Sequence, residues 1–286
     1  MEKTENEAKK WDLIIEPKRQ LLDLRLSELW KYRDLIALFV RRDFVAAYKQ
    51  TILGPLWYLI QPLLTTIIFT FIFGQVAALP TDGLPQFLFY MSGNILWAYF
   101  ADCLTKTSNT FVANTNLFGK VYFPRMAVPV SILISNLITF AMQFVFFLLF
   151  VGYFALRGSE IHPNLWILAF PLLLLIMAGL GLGLGILISA MTTKYRDLRF
   201  LVSFGVTLLM YATPVIYPAS SVPAQYQTII HLNPVTSIIE TFRYGFLGSG
   251  TVNPWGLVYS FIFMVVIVVI GSIVFNRVEA TFMDTI

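Results

Sequence analysis

The chain has little charge, few possible metal ligands and one cysteine, and each shortage excludes a class of protein. Charged residues make up 13% of its 286 residues and apolar residues 57%. A soluble domain needs about a quarter of its residues charged to cover its surface. Cys103 alone excludes an intrachain disulfide, and two histidines without a cysteine cluster disfavour a structural zinc site. The composition predicts a polytopic membrane protein.

Motifs for ATP hydrolysis are also missing from the sequence. No G-x-x-x-x-G-K-[ST] phosphate loop occurs, and the only Gly-Lys pair, Gly119 and Lys120, has Asn114 five residues before its glycine. We therefore expect a protein that is not an enzyme, and we expect no cofactor in this chain. Asp102 lies in an apolar stretch one helical turn before Lys106, a spacing that predicts an interfacial ion pair.

The gaps between charged residues leave room for helices of about 20 residues, the length that crosses the hydrocarbon core of a bilayer. Glycines at alternate positions from Gly179 to Gly185 lie inside one of these runs, where they predict close helix packing rather than a dinucleotide site. The predicted transmembrane segments are six in number: 55–77, 86–105, 128–152, 165–190, 200–218 and 254–275.

The distribution of basic residues predicts the orientation. Of the 20 lysines and arginines, 18 fall in residues 1–54, the loops 106–127 and 193–199, and the C-terminal tail. Basic flanks resist translocation, so both termini are expected in the cytoplasm and the chain in the cell inner membrane. This distribution explains the net charge of +4 without nucleic acid as a partner.

Two further elements complete the predicted all-α fold. Apolar and basic residues alternate between Arg33 and Lys49 as in an amphipathic helix lying on the cytoplasmic surface of the membrane lipid. Prolines interrupt the apolar run after Pro214, and Asn233 with Pro234 is typical of a helix start. We expect a re-entrant outer helical hairpin at 219–248, between the fifth and sixth spans, whose Glu240 and Arg243 form a structural pair or line a gate.

Aromatic residues suggest two functional surfaces, each with an alternative. The loop 106–127 mixes polar residues with apolar ones, which predicts exposed apolar side chains that dock a partner, or else an interfacial helix on lipid. The apolar residues expected at its surface are Leu117, Phe118, Val121, Tyr122 and Phe123. Aromatics of the first two spans could line an internal passage, where they would stack on sugar rings, or could anchor the helices at the lipid interface. The channel-lining candidates are Trp57, Tyr58, Tyr90, Trp97, Tyr99 and Phe100.

Several short motifs, in order along most of the chain, carry a resemblance to a known family. They are YKQTILGPLW at 48–57, QPLL at 61–64, FPR at 123–125, YRDLR at 195–199, PVIYP at 214–218, LNP at 232–234 and FR at 242–243. With them the chain resembles the permease subunit of ABC-2 type polysaccharide exporters, which move O-antigen, capsular polysaccharide or teichoic acid.

The resemblance implies a homodimer of six-helix subunits that works with two copies of a separate ATPase, which binds the ATP and magnesium. It implies an undecaprenyl-linked glycan as the substrate, with O-antigen first among the candidates. The implied domains are a cytoplasmic segment, 1–54, and a transmembrane domain, 55–286. The ATPase-docking residues would be Arg41, Arg42, Tyr48, Lys49, Asn116, Leu117, Phe118, Lys120, Phe123 and Arg125, and the outer gate would contain Pro218, Asn233, Pro234, Glu240 and Arg243.

Other functions remain open at this point. An ABC-2 exporter of capsule, teichoic acid, a drug or a small lipid would share the same architecture. A secondary transporter or a membrane glycosyltransferase would call for carboxylates within or beside the membrane, and their scarcity here disfavours both.

Overall fold

The computed structural model of the protein describes residues 26–49, 51–121, 123–193, 195 and 197–281. Within these residues the regular secondary structure is entirely helical. The side chains of 26–28, 47, 48, 280 and 281 lie outside this description, and with them that of Tyr48, a predicted docking residue.

The helices follow one another with short connections. They are α1 (Leu26–Lys31), α2 (Arg33–Tyr48), α3 (Trp57–Phe69), α4 (Gln86–Ser108), α5 (Thr110–Ala113), α6 (Thr115–Phe118), α7 (Ala127–Leu156), α8 (Phe170–Thr192), α9 (Leu198–Tyr211), α10 (Ala224–Leu232), α11 (Pro234–Leu247) and α12 (Pro254–Thr281). A 3-10 turn, Gly54–Leu56, leads into α3 and a π-helical segment, Thr70–Val76, extends it, while a second 3-10 turn, Leu165–Ala169, leads into α8.

The long helices run back and forth between two ends of the protomer. One end, here called the basic end, contains α1, α2, α5 and α6, and the start of α7 meets α12 there through a bond from Arg125 Nη1 to the Glu279 carbonyl. The opposite end contains α10, α11 and the connections around them, which contact residue Asp82 through Ser220.

Four helical segments are long and apolar enough to cross a membrane: Gly54–Val76, Ala127–Leu156, Leu165–Thr192 and Pro254–Glu279. Two further predicted spans correspond to α4 and α9. Helix α4 has 23 residues, most of them buried among other helices, so it need not be as apolar as a helix that faces lipid. Helix α9 is shorter, with 14 residues, and six crossings therefore stay a prediction.

Helix α9 ends earlier than the sequence predicts. The predicted span continued to residue 218, but the helix stops at Tyr211, and residues 213–216 are buried in a non-helical turn. Pro214 has no N–H to continue the helix, and the residue before a proline is pushed away from helical geometry. The carbonyls of this turn are used elsewhere, as described below.

The glycines of α8 pack against helices on two sides. A Cβ atom on Gly179 or Gly183 would collide with α12, at Met264 and at Ile267 and Val268 respectively. On Gly181 or Gly185 it would collide with α4. The expectation of close helix packing is confirmed, and each of the two four-residue spacings serves a different neighbour.

These contacts predict the effect of adding a methyl group to α8. In Gly183→Ala the new Cβ would lie 2.8 Å from the Val268 backbone nitrogen, which cannot move without shifting α12. We expect a loss of about 1–3 kcal/mol, typical of overpacking, and a lower thermal midpoint in detergent. Gly152→Ala is the matched control, because nothing lies within 4 Å of that Cβ. Equal midpoints for the two variants would contradict the packing.

Candidate functional site

A chain of aromatic rings connects the helices at the basic end. The ring centre of Phe39 on α2 lies 5.5 Å from that of Phe123, which lies 5.7 Å from that of Phe118. The ring centres of Phe118 and Phe111 are 6.0 Å apart. Phe111 stacks on Phe275 of α12 at 4.5 Å. Apolar ring contacts therefore connect α2, the short helices α5 and α6, and α12 at this end of the molecule.

The predicted exposure of this loop is wrong for Phe118 and Phe123, whereas Val121 is exposed as predicted and Tyr122 lies outside the described residues. Phe118 and Phe123 are each only 5% exposed, and Leu117 is half-buried. The sequence pattern placed them on a water-facing loop, but α2 and the ends of α7 and α12 cover them. Their docking role stays a prediction, and it cannot consist of their present exposure to water.

The predicted docking residues that reach the surface are polar. Arg41, Arg42, Lys49, Asn116 and Lys120 are exposed. Arg42 lies over the Phe39 ring at 4.9 Å, and Arg125, half-buried, lies over the Phe118 ring at 5.4 Å. The exposed docking candidates are therefore charged and amide groups, although the same end also exposes the apolar side chains of Leu38, Val45 and Val121.

At the opposite end, the fully buried guanidinium of Arg243 on α11 joins three segments. It donates from Nη1 to the Pro214 carbonyl at 2.6 Å and from Nη2 to the Val215 carbonyl at 2.7 Å. Its remaining contacts are with the start of α4: Nε donates to Ser92 Oγ at 3.2 Å, Nη2 donates to the Phe89 carbonyl at 3.3 Å, and the Phe89 ring centre lies 3.7 Å away. Gly93 leaves room for the guanidinium, since a Cβ there would lie 2.6 Å from Nη2.

Glu240, one turn before Arg243, extends this network to two more connections. Its Oε1 lies 3.6 Å from Arg243 Nη1 and accepts from the Ala219 N–H at 3.3 Å, while Oε2 accepts from the Thr251 N–H at 3.4 Å. Both side chains are almost fully buried. The pair predicted from their spacing is present, and in this conformation it is structural.

The other predicted gate residues surround this network. Pro218 is buried, and Asn233 caps α11 by accepting from the Val235 N–H at 3.0 Å, with Pro234 as the first helical residue. Asn233 Nδ2 also donates to Thr213 Oγ1 at 2.7 Å. The predicted helix start is confirmed, as is its end beside Gly248 at φ 80°. Whether these residues close an exit stays a prediction.

The channel-lining candidates fall into two groups. Tyr90, Trp97, Tyr99 and Phe100 are buried in the main core, each at most 4% exposed, so none of them faces a passage in this conformation. Trp57 is 50% exposed and Tyr58 is half-buried, both at the start of α3. The sequence could not separate the groups because both lie on strongly apolar helices.

Polar side chains also occur between α4 and α7. Lys106 Nζ lies 2.8 Å from Asp102 Oδ2, which confirms the predicted pair, and it donates to Asn136 Oδ1 on α7 at 2.8 Å. Asn136 had no signal in the sequence beyond being an amide in an apolar run. In the described part of the chain, no group of three or more histidine, cysteine or acidic side chains could hold a metal ion.

Comparison with known proteins identifies this helical arrangement. Residues 34–247 match the family described as ABC-2 type transporter. The chain belongs to the ABC-2 type transporter family. The match runs from the start of α2 to the end of α11. It therefore includes every ring of the aromatic chain except Phe275, and it includes Arg243 and Glu240 of this ABC-2 protein.

Individual relatives within the ABC-2 family are moderately similar. An O-antigen export system permease protein RfbA of Klebsiella pneumoniae is 28% identical over 252 residues, which cover 88% of this chain and 94% of that protein. A protein of the same name from Myxococcus xanthus is 27% identical over 76% of this chain and 82% of its own length. The inner membrane transport permease YadH of Escherichia coli K12 is 25% identical over 74% of this chain and 82% of its own length.

The Arg243 network predicts a large effect of removing its cation from this ABC-2 protein. Arg243→Ala would leave Glu240 buried without its partner and several carbonyls without donors, a loss of about 3–5 kcal/mol. Lysine should not rescue it, because one ammonium cannot reproduce the planar fork. We expect both variants to lower the yield of folded protein and its thermal midpoint. The control is Arg157→Ala, an exposed site, and a similar midpoint for the alanine variants would contradict the assignment.

The aromatic chain predicts which loop substitutions the ABC-2 protein tolerates. Phe118→Asp would place a charge among Phe111, Phe123 and Phe39, and we expect the protein to be lost from the membrane or recovered with a lower thermal midpoint. Phe118→Leu keeps most of the apolar area and should be mild. Val121→Asp, at a position 55% exposed, is the control. If Phe118→Asp behaved like Val121→Asp, the buried position of this ring would be wrong.

Proposed function

We propose that this chain is the permease subunit of an ATP-driven ABC exporter that moves a lipid-linked polysaccharide, with O-antigen as the first candidate, across the cell inner membrane. The observation that carries the proposal is the family match over 34–247, joined to relatives named O-antigen export system permease that align over nearly their whole length. The undecaprenyl carrier and the order of glycan candidates are part of this proposal.

A separate ATPase would supply the energy, as two copies that bind ATP and magnesium. This chain has no phosphate loop in its sequence, so the nucleotide would have to bind elsewhere. The proposed docking surface is the exposed polar set on the aromatic chain: Arg41, Arg42, Lys49, Asn116 and Lys120. Phe118 and Phe123 would act from beneath that surface, by fixing its shape.

Two copies of the chain would form the passage. Helix α9 contains no buried residue, and it exposes the Ser203 hydroxyl. Thr207 is also exposed, but its hydroxyl donates to the Ser203 carbonyl within the helix. Helix α3 likewise exposes the Gln61 amide. Polar groups facing hydrocarbon are costly, whereas a second protomer or a wet passage would satisfy them. A glycan with many hydroxyls needs such a passage, while its lipid carrier can stay in the bilayer.

The membrane topology is part of the proposal. Six crossings would use α3, α4, α7, α8, α9 and α12, with both chain termini and the basic end in the cytoplasm, as the distribution of basic residues favours. Helix α2 would lie along the inner surface, with Ile36 and Phe39 turned inward and its arginines exposed. Helices α10 and α11 would form the re-entrant outer hairpin, closed in this conformation by Arg243 and Glu240.

The similarity to a transport permease that is not named for a glycan supports a second candidate. YadH is described only as an inner membrane transport permease. Export of capsule, teichoic acid, a drug or a small lipid therefore remains the alternative substrate assignment within the same mechanism.

Deletion of the gene in its native host tests the substrate class. We expect surface polysaccharide to be lost and lipid-linked glycan to accumulate inside the cell, because synthesis continues when export stops. Immunoblots of surface and cytoplasmic fractions measure both pools, and the wild-type gene restored on a plasmid is the control. Normal surface polysaccharide in the deletion strain would reject glycan export and favour the alternative substrates.

A further inference from the structure

Helix α3 has an unusual attachment to the rest of the protomer. In its most apolar stretch only 6% of the residues are buried, against 50% in Leu165–Thr192. Few residues of this segment are fully enclosed, although Phe69 and Phe73 at its far end pack beside Tyr90. Side-chain amides from two neighbouring helices also bind its backbone, at three levels along its length.

Two of these bonds are made to backbone carbonyls one helical turn apart, those of Tyr58 and of Pro62, which is inside α3. Proline has no N–H, so residue 62 cannot donate to the Tyr58 carbonyl as a helix requires. Gln143 of α7 donates to that carbonyl from Nε2 at 3.1 Å, and Asn94 of α4 donates from Nδ2 to the Pro62 carbonyl at 3.4 Å. Both amide side chains are buried, at 8% and 7% exposure.

The third bond is at the far end, in the π-helical extension of α3. Gln86, the first residue of α4, donates from Nε2 to the Gly74 carbonyl at 3.0 Å. The last carbonyls of a helix have no partner within it, so this one is available to another helix. Gly74 is tightly fitted here, because a Cβ on it would lie 2.5 Å from the Gln86 oxygen.

A hydrogen bond from a neighbouring helix fixes the position of α3 relative to that helix, whereas a hydrogen bond within α3 does not. A carbonyl could be satisfied within α3 by an N–H or by a threonine, as Thr66 Oγ1 does for the Pro62 carbonyl at 2.7 Å. Such bonds leave α3 free to shift against α4 and α7. The three amides instead fix its position at defined points.

The fixed helix presents a continuous stripe on its outer side. Residues at helical spacing are exposed along the whole segment, with an amide at each end: Gln61, Leu64, Ile68, Phe71 and Gln75. A second copy of the chain or the substrate passage could lie against this face. Either one would contact α3 in the position that is fixed by the three amide side chains.

We propose that Gln86, Asn94 and Gln143 are positioning residues, which fasten α3 to α4 and α7 through its backbone carbonyls, and that export requires α3 in the position they fix. The proposal rests on the proposed exporter function for its export arm. The fastening itself is independent of the substrate.

The test separates fastening from the mere satisfaction of a carbonyl. Pro62→Ala supplies the missing N–H to the Tyr58 carbonyl but does not attach α3 to α7. Gln143→Met removes the amide and keeps a side chain of similar length, and it is made in the wild-type and the Pro62→Ala backgrounds. Gln225→Met on α10 is the matched control, because it removes an exposed amide outside the α3 stripe. Thermal midpoint and glycan export are measured at equal membrane levels.

We expect Gln143→Met to reduce export about fivefold or more in both backgrounds, the effect of losing a hydrogen bond of ordinary strength. Its thermal midpoint should fall by about 3 °C in the wild-type background and much less in the Pro62→Ala background. Gln225→Met should match wild type. If Pro62→Ala abolishes the export defect, the amide only satisfies a carbonyl and the proposal is overturned, as it is if Gln143→Met exports like Gln225→Met.

A second variant covers loss of folding in the first set. If the Gln143→Met or Pro62→Ala proteins do not reach the membrane, the Gln86→Met variant tests the proposal instead. The hydrogen bond that it removes has its acceptor at a helix end, so losing that bond should reduce the stability of the protein only slightly. Reduced export with an unchanged midpoint supports the proposal, and normal export overturns it.

A distance measurement keeps the fastening apart from the exporter function. Spin labels at Leu64→Cys and Val145→Cys, both exposed, report the separation of α3 and α7 in nanodiscs, with the native Cys103 buried. Gln143→Met should broaden the distance distribution, and Gln225→Met should not. An unchanged distribution overturns the fastening whatever the substrate is, whereas failure of the wild-type gene to restore export rejects only the exporter function.

Discussion

The opposite end of the protomer depends on one buried cation. Arg243 is fully enclosed, and its donors meet acceptors from the turn after α9 and from the start of α4, while Glu240 balances its charge and holds two further connections. An enclosed guanidinium is costly unless every donor is used, so these segments must keep one relative arrangement. Most residues of helix α11 are buried around this cation and the neighbouring aromatic rings.

Prolines determine where such polar contacts are needed. Pro214 ends α9, and its own carbonyl and that of Val215 turn to Arg243. Pro62 interrupts α3, and the Tyr58 carbonyl, to which residue 62 cannot donate, accepts from Gln143. In both places a backbone group that an unbroken helix would satisfy internally is instead bound by another helix. Away from water such a bond both removes a penalty and sets the position of an element.

The two ends of the molecule are held by different forces. At the basic end an aromatic chain from Phe39 to Phe275 links the short helices to α12 by apolar contact, which tolerates small shifts. At the opposite end a directional network of charge and hydrogen bonds resists them. The two ends therefore differ in how much relative movement their packing allows.

The sequence by itself determined the class of the protein, the approximate helices and several local details. The composition shows that the chain lies in a membrane. Three local details could also be predicted, because they depend only on neighbours within about one or two helical turns: the Asn233 cap, the Asp102 ion pair and the glycine spacings. The family membership also follows from ordered motifs, because these are read along the chain.

Only the tertiary structure decided which side chains face inward. Phe118 and Phe123 look exposed in sequence because their loop is polar, but the helix that covers them, α2, is far away along the chain, before two long helices. Tyr90 and Trp97 look like candidates for a passage because an apolar helix has no polar face to orient it, and packing against α7 and α8 buries them. The role of the side-chain amides on α4 and α7 could not be predicted either. Their acceptors are carbonyls of α3, and no local sequence pattern indicates that these groups lie beside them.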